Sequence, residues 1–590
     1  MGERRSNRGE GGYVEKVRFL KKVWSIAREY KWRLSLSYLL LLTELAFEQT
    51  MPLLLGRVID AAVYKADLLL FFQSAAFYAL FFAGQQVCGF AQLQFWQQLN
   101  NRYIYGLRVK CYEKILRQKA EKLTDMRTGD LLQIINKDTM EFHHILQRYA
   151  MRSANAGIGT AASLIIVACM KWEIALLIIV LIPLSTCLTN KIKNRMRTVA
   201  EKVREQQGSF SSWQLEILKG MREIKLFTAE KTVLKQFADK NKEFVRSDLK
   251  YKKTQLQSDQ LIGLIYFAAQ IVFYVTAALF VADGSIDIAG YISIAAYYSI
   301  ISEGYQRILR DNMAFQARRT AIERVFSLLE SESEEDEGLT PLTVTQGEIE
   351  FAGVSFSYKK KQCVLQHITY KVLPGKHIGI VGASGVGKST LAHLMVKFYE
   401  PDSGFIMIDG QDIGRCTCRA VRENIGIVSQ ETVLFNTTIK ENICLGRAAG
   451  DEVIWDILDQ VSLKEDIEKL PHGIYTYLGK DGMSLSGGQS QRLSIARTIF
   501  RNPRIVILDE ATSALDETSE TVVQQAIDRL TEGRTSFIIS HRLGSIVNAD
   551  DILILRDGYL EAHGTYEELI RNNRTFRKLF AAGRKGGKDR

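Results

Sequence analysis

Hydrophobic positions divide the chain into two halves with different rhythms. Over the first 305 residues they run in blocks long enough to cross a bilayer as a helix, which takes about 20 mostly apolar residues. The blocks are 34–56, 68–93, 152–170, 172–190, 261–282 and 286–305. Little more than Lys171 separates the third from the fourth, which predicts two helices joined by a very short hairpin. The stretches 102–152 and 191–253 are too long for turns. They keep apolar residues at helical spacing, as at Ile115, Leu116, Leu131, Leu132, Ile134 and Ile135, so the helices are expected to run on beyond the membrane. A 25-residue extension would reach about 35–40 Å. Residues 14–33 mix Lys and Arg with Val, Phe, Leu, Trp and Ile, the pattern of a basic amphipathic helix lying on the inner membrane surface. From Gly347 onward the rhythm changes to short β-branched or aromatic strands alternating with helices, an α/β domain.

Charge orients the first half. Residues 102–152 hold 11 Lys and Arg and residues 191–253 hold 17, whereas the short connections near 57–67, 171 and 283–287 hold only Arg57, Lys65 and Lys171. Positive loops stay on the cytoplasmic side. Six spans with both termini inside follow, and no cleavable leader is evident in the N-terminal residues, which leans towards a bacterial cytoplasmic membrane. The acidic run 330–338 reads as a solvated linker. The expected organisation is a transmembrane domain over 1–330, a linker over 331–346, a nucleotide-binding domain over 347–582 and a basic tail over 583–590.

Composition conceals this division. For 590 residues the mean hydropathy is −0.05 and the net charge is +11, values of an ordinary soluble protein, because an apolar half and a polar half average near zero. Only 7 prolines occur, and only Pro52 and Pro183 fall in the first 340 residues, which suits long unbroken helices. The eight cysteines are scattered; the lone C-x-C of Cys416 and Cys418 reads as ordinary thiols rather than a metal site. The opening Met-Gly-Glu-Arg-Arg-Ser matches a loose acylation pattern that is too short to carry weight.

The candidate chemistry lies in the second half. Gly382 to Ser389 spells G-x-x-x-x-G-K-S between a strand and a helix, the phosphate-binding P-loop. Its residues Gly382, Ser384, Gly385, Gly387, Lys388, Ser389 and Thr390 are the candidates to hold ATP, with Lys388 near the β/γ-phosphates and the Ser389 hydroxyl on Mg²⁺. A second apolar strand, Ile505–Leu508, runs into Asp509 and Glu510. Acids at the carboxyl end of a buried strand suit Mg²⁺ coordination by Asp509 and orientation of an attacking water by Glu510. In the membrane half, Glu44 and Glu48 lie four apart, on one helix face, inside an apolar block. A carboxylate there costs about 2.5–3.5 kcal/mol on insertion scales, so both should face the bundle interior. With Gln85, Gln86, Gln92, Asn155 and Gln270 they are candidates for a substrate pathway suited to a cationic or amphipathic molecule, or alternatively for helix–helix hydrogen bonds.

Between P-loop and acidic strand lies Leu485-Ser486-Gly487-Gly488-Gln489. This resembles the signature of the ATP-binding cassette (ABC) superfamily, and the remaining motifs follow in the family's order. The resemblance implies that Tyr358 stacks on adenine, that Gln430 is the Q-loop residue sensing Mg²⁺ and γ-phosphate, that Asp516 in Ser513-Ala514-Leu515-Asp516 belongs to the D-loop, and that His541 is the switch histidine. It also implies that Ser486, Gly488 and Gln489 bind the γ-phosphate of ATP held on an opposite subunit. The first half joins the resemblance through Pro52, Gly56, Ile59 and Asp60, and through 128–139 and 216–230, which look like loops that dock onto cassettes. The chain is thus similar to an exporter half-transporter working as a dimer, most simply of identical chains, on a drug-like, lipid or peptide substrate; the residues ahead of the first span, which hold no Cys, are not expected to form the peptidase domain of some related peptide exporters. One departure is visible: Lys480 stands in Thr476-Tyr-Leu-Gly-Lys-Asp-Gly482 where the family often has Glu. Two readings compete. A nucleotide-gated channel would not need the full set of hydrolysis residues Glu510 and His541, and a soluble P-loop machine acting on nucleic acid would not carry six apolar spans.

Overall fold

In the computed structural model the described residues are 19, 21–63, 65, 67–334, 336, 338–358, 362–430, 432–479, 482–511, 517–540 and 542–584. The chain divides into two compact units, Met1–Lys114 with Thr128–Glu330, and Ile115–Arg127 with Ser331–Arg590.

The first unit is helical. Its long helices are α1 (Lys31–Val63), α2 (Leu68–Leu116), α3 (Thr128–Met170), α4 (Trp172–Lys219), α5 (Glu230–Ala282) and α6 (Ile288–Leu329). The 49 residues of α2 and the 53 of α5 span about 75–80 Å at 1.5 Å per residue, more than twice a hydrocarbon core, as the periodicity of the basic stretches predicts. Lys171, in extended conformation, is the single-residue hinge between α3 and α4. Gly220 interrupts the helix after α4, and a short turn Met221–Leu226 leads into α5. Of the basic amphipathic stretch 14–33, residues 14–18 and 20 lie outside the described residues; the rest is helical from Lys21 into α1.

Among the described residues five helical stretches are long and apolar enough to cross a membrane, against six expected. The exception is α6, whose apolar block is diluted by Tyr291, Ser293, Tyr297, Tyr298, Ser299 and Ser302. Several of these hydroxyls face inward and bind the neighbouring helix. Ser293 Oγ donates to Pro52 O at 2.9 Å and Tyr297 OH to Gln49 O at 2.6 Å. Proline has no N–H for the Glu48 carbonyl one turn back, and these two bonds, to neighbouring carbonyls, brace α1 beside that break. Close approach is possible because Gly56 has no side chain: a Cβ there would lie 2.3 Å from Ser293 Oγ. The core of this unit joins Val167, Ile174, Ile178, Phe273, Ile294 and Ile301, with Phe273 stacked on Tyr298 at 4.1 Å. Helix α3 carries two π-helical stretches, Ile134–Asp138 and Ile145–Ser153. In the first, Asp138 accepts two hydrogen bonds from Arg324 of α6, at 2.7 and 2.9 Å.

The second unit contains two sheets. A four-stranded antiparallel sheet has the order β2-β1-β4-β5, with β1 Ile349–Tyr358, β2 Gln362–Val372, β4 Ser403–Ile408 and β5 Gln411–Asp412. A six-stranded sheet has the order β10-β9-β3-β8-β7-β6, with β3 His377–Val381, β6 Ile425–Val428, β7 Ile505–Asp509, β8 Thr535–Ile539, β9 Asp551–Arg556 and β10 Tyr559–Gly564. Strands β9, β3, β8, β7 and β6 are parallel, pairing for example Ile380 with Ile539 and Leu508 with Ile538. Parallel strands covered on both faces need apolar residues at every position, which is why Ile505–Leu508 forms an unbroken run and is fully buried.

The acidic run is not a free linker. Glu334 receives two hydrogen bonds from Arg422, both 2.8 Å, Asp336 accepts from Cys418 N at 2.8 Å, and Ser331 donates to Gln118. A guanidinium fork matching a carboxylate is a tertiary feature that a charge run cannot reveal.

Candidate functional site

Three loops converge because the parallel strands end side by side. The P-loop leaves β3, Asp509 closes β7, and Gln430 lies two residues beyond β6; β8 stands between β3 and β7. This is the carboxyl edge of an open α/β sheet, the place where such sheets bind ligands.

Helix α7 (Lys388–Met395) starts at this edge. Its N-cap, Gly387, is left-handed with φ 110° and provides no side-chain cap, so the first N–H groups of the helix stay open to an anion. Only glycine suits the position: a Cβ would meet Leu365 Cδ2 at 2.7 Å and Val364 O at 3.1 Å. Gly382 is bound by Leu555 O, 2.5 Å from an added Cβ, while Gly385, at φ 79°, borders open space. The buried Lys388 donates to Gly382 O at 2.9 Å and Ala383 O at 3.0 Å. Burial pulls its ammonium pKa below the usual lysine value, against the opposing charges of Glu510 and Asp509. Ser389 Oγ donates to Asp509 Oδ1 at 3.4 Å. Burial raises the Asp509 carboxyl, partly offset by that hydroxyl. Glu510 has a left-handed φ of 50° and its N–H donates to Ile539 O at 2.9 Å, fixing the acid against β8. Such backbone strain in a non-glycine residue is typical of functional sites. Thr390 Oγ1 lies 3.1 Å from Tyr358 OH, and Tyr358 packs edge-on against Phe356 and Tyr399.

These residues fit a nucleoside triphosphate: an uncapped helix N-terminus, a backbone cradle closed to side chains and a buried lysine. They also fit a magnesium ion brought with the phosphates. The described residues contain no cluster of three or more His, Cys, Asp or Glu, and Mg²⁺ bound with phosphate needs only one or two protein oxygens, here Ser389 and Asp509.

The signature residues are placed elsewhere. Ser486 caps helix α8 (Gly487–Arg501): its Oγ accepts from Gln489 N at 3.2 Å, and Gln489 Oε1 accepts from Ser486 N at 3.0 Å. Gln489 Nε2 donates to Asp466 at 3.2 Å. Their hydrogen bonds run to one another and to Asp466, not to the P-loop, and Gly488 is buried in the first turn of α8. Sequence reasoning missed Gln491, which is buried on α8, donates to Ser429 O at 3.1 Å and accepts from Thr432 Oγ1 at 2.9 Å, so tying both flanks of Gln430 to the signature helix. It also missed His393 on α7, which feels the Asp509 charge and whose pKa is lowered by burial. Asp516, His541 and Lys480 lie outside the described residues.

The membrane unit holds a second candidate site. Glu44, Glu48, Gln85, Gln86, Gln92 and Asn155 all line one cavity of 500 Å³, joined by Arg152 and Arg307, which sequence reasoning did not single out. Gln270 does not; its amide donates to Tyr274 OH one turn along α5, a structural bond.

Two family models cover this arrangement: an ABC transporter transmembrane region over residues 34–304 and an ABC transporter domain over 365–513. An ATP-dependent lipid A-core flippase of Salmonella typhimurium (strain LT2) is 30% identical over 486 residues, 82% of this chain and 83% of its own. The chain belongs to the ABC exporters. A Bacillus subtilis (strain 168) ATP-binding/permease protein named for multidrug export is 29% identical over 575 residues, 95% of this chain and 98% of its own. A solved bacterial Atm1-family ABC exporter with ATP bound shares the fold, with a TM-score of 0.79 at 24% identity over 94% of this chain and 99% of that one. This ABC exporter is accordingly an integral membrane ATPase of the half-transporter type, with ATP hydrolysis coupled to export or flipping of a substrate.

Proposed function

We propose that the chain is one half of a homodimeric exporter of a drug-like, lipid or peptide molecule in a bacterial cytoplasmic membrane, with six spans and both termini in the cytoplasm. The transmembrane domain would occupy 1–330, the linker 331–346 and the cassette 347–582. The observation that carries the ATP site is the uncapped N-terminus of α7 beside the Ser389–Asp509 pair. Gly382, Ser384, Gly385, Gly387, Lys388, Ser389 and Thr390 bind the phosphates, and Tyr358 packs on the base. Ser389, Asp509 and Gln430 would hold Mg²⁺, which when bound neutralises charge on the β- and γ-phosphates. Glu510 orients the attacking water, and His541 holds the γ-phosphate in line with it.

The dimer reading is supported by the signature. Ser486 and Gln489 spend their side chains capping α8, and that capped N-terminus has no phosphate site of its own chain bonded to it. Ser486, Gly488, Gln489 and Asp516 would complete the site of the other subunit, so that ATP joins two cassettes and hydrolysis lets them part. The Gln491 tie from α8 to both flanks of Gln430 would carry that change towards the membrane helices. Apart from Lys480, the ATP-site motifs are complete in the sequence, which favours two equivalent sites. The test is the reconstituted protein's ATPase against a panel of lipids, drugs and peptides, with disulfide trapping of Ser486→Cys to Ser384→Cys. Stimulated turnover and a cross-linked dimer of a single chain type are expected; a nucleotide-bound monomer without stimulation would overturn the reading.

A further inference from the structure

Resting on the exporter reading above, we propose that the cavity between α1, α2, α3 and α6 binds the dipolar head of an amphipathic molecule: an ammonium group on Glu44 and Glu48, and an anionic group on Arg152 and Arg307. Four helices of the membrane unit supply the walls, and 500 Å³ is within the usual range of small-molecule pockets, about 300–1,000 Å³.

The two carboxylates lack the contacts that a purely structural role would give them. Among the described residues neither Glu44 nor Glu48 has a hydrogen bond or a direct ion pair. Glu44 faces Gly89 of α2, where a Cβ would come within 3.1 Å of Oε1, so any larger residue there would push the carboxylate back by a few tenths of an ångström. The charges of Arg152 and Arg307 reach Glu44, and that of Arg307 reaches Glu48, without closing a salt bridge on either. Arg307 instead pairs with Glu303 on its own helix at 2.9 Å. Arg152 projects from the π-helical stretch Ile145–Ser153, a local rewinding often found at functional sites. Asn155 Oδ1 is buried without a partner among the described residues, and Gln85, Gln86 and Gln92 add neutral donors and acceptors.

A plain cation in this cavity would meet two guanidinium groups, and a plain anion two carboxylates. Charges in a membrane interior are costly unless paired, so a ligand of both signs satisfies the wall best. Leu41, Phe90 and Leu93 line the same cavity and suit an attached hydrocarbon chain.

The test uses the full-length protein in a nonionic maltoside detergent, which avoids competing zwitterionic lipid. ATPase is titrated with lysophosphatidylethanolamine, an alkylamine of the same chain length, lysophosphatidic acid, and glycerophosphoethanolamine, which is the dipolar head without a chain. The dipolar lipid is expected to half-stimulate at about tenfold lower concentration than either singly charged probe, one charge-assisted contact being worth roughly that factor. Glu44→Gln with Glu48→Gln should erase its advantage over lysophosphatidic acid, and Arg152→Gln with Arg307→Gln its advantage over the alkylamine. Ratios are read within each variant, so a general loss of activity cancels. Glu→Asp and Arg→Lys versions should keep the ratios, and Gly89→Ala, which displaces the Glu44 carboxylate, should narrow the first one should the double variants not fold. Equal action of the chainless head would assign a water-soluble dipolar substrate, and its inactivity a lipid. Equal potency of all charged probes on the wild type, or ratios unmoved by the variants, would overturn the proposal. Hydrolysis surviving in Glu510→Gln would instead sink the ATP-site reading and leave the probe ratios as a separate test of the cavity.

Discussion

Replacing Gly387 by alanine should damage nucleotide binding far more than the same change at Gly385. Both glycines have positive φ, 110° and 79°, but their surroundings differ. At Gly385 nothing lies within 4 Å of an added Cβ, so the cost is the left-handed backbone alone, about 1–2 kcal/mol. At Gly387 the Cβ would meet Leu365 Cδ2 at 2.7 Å and the fixed carbonyl of Val364 at 3.1 Å. Overpacking adds about 1–3 kcal/mol to a backbone cost of about 1–3 kcal/mol, roughly 2–6 kcal/mol together. The loop can escape only by moving the start of α7, and ATP must restore it. At 1.4 kcal/mol per factor of ten, ATP affinity should fall about 30-fold or more in Gly387→Ala and about 5- to 25-fold in Gly385→Ala. Equilibrium binding of a fluorescent ATP analogue to the detergent-purified protein measures both. Equal affinities, or Gly387→Ala binding within twofold of wild type, would refute the argument that this cradle is set by the missing side chain.

Other consequences are as direct. Asp409 accepts backbone N–H groups from Thr345, Gln346, Gly347 and Glu348, which outweigh its burial and hold its pKa below the ordinary 3.8. A lowered carboxylate contributes stability above its unfolded pKa and loses it as pH falls through the folded value. Asp409→Asn, which tolerates the residue's left-handed φ of 47°, should cost about 1 kcal/mol at neutral pH after solvent screening, and melting curves of variant and wild type should begin to converge as pH falls below 3.8 and merge only below the lowered pKa of the folded state. Arg324→Ala leaves Asp138, only 5% exposed, without its two bonds, and should lower membrane-unit stability by about 1.5–3 kcal/mol in thermal unfolding, with Arg324→Lys recovering only part. Gln491→Ala releases Ser429 and Thr432; substrate stimulation of the ATPase should fall while ATP affinity stays within about threefold, a split checked by kcat against KM.

Much of this molecule is written in its sequence, and the exceptions have physical causes. The unbroken run Ile505–Leu508 announces a parallel strand and its terminal acids, because burial on both faces leaves no other composition. Lys171 announces a hairpin because nothing else separates two apolar blocks. Three things depend on tertiary partners and were not legible. The hydroxyls of α6 look like polar dilution of a span until Pro52 and Gln49 of α1 supply their acceptors. The acidic run looks solvated until Arg422 clasps Glu334. Arg152 and Arg307, at the margins of their apolar blocks, give no signal until the bundle places them in one cavity with Glu44 and Glu48. Of the nucleotide site, the helix start, the glycines and the acid pair were readable; the left-handed Glu510 and the Gln491 tie were not, since they arise from the register of β7 against β8 and from the packing of α8.

The central claim is that ATP held on α7 is hydrolysed through Glu510 to drive a membrane exporter. Measuring ATP binding and ATPase turnover of Glu510→Gln side by side in lipid tests it most directly. Retained nucleotide binding, with turnover reduced at least about a hundredfold and a persistent nucleotide-bound dimer, is the predicted result. Turnover near wild type in that variant would contradict it.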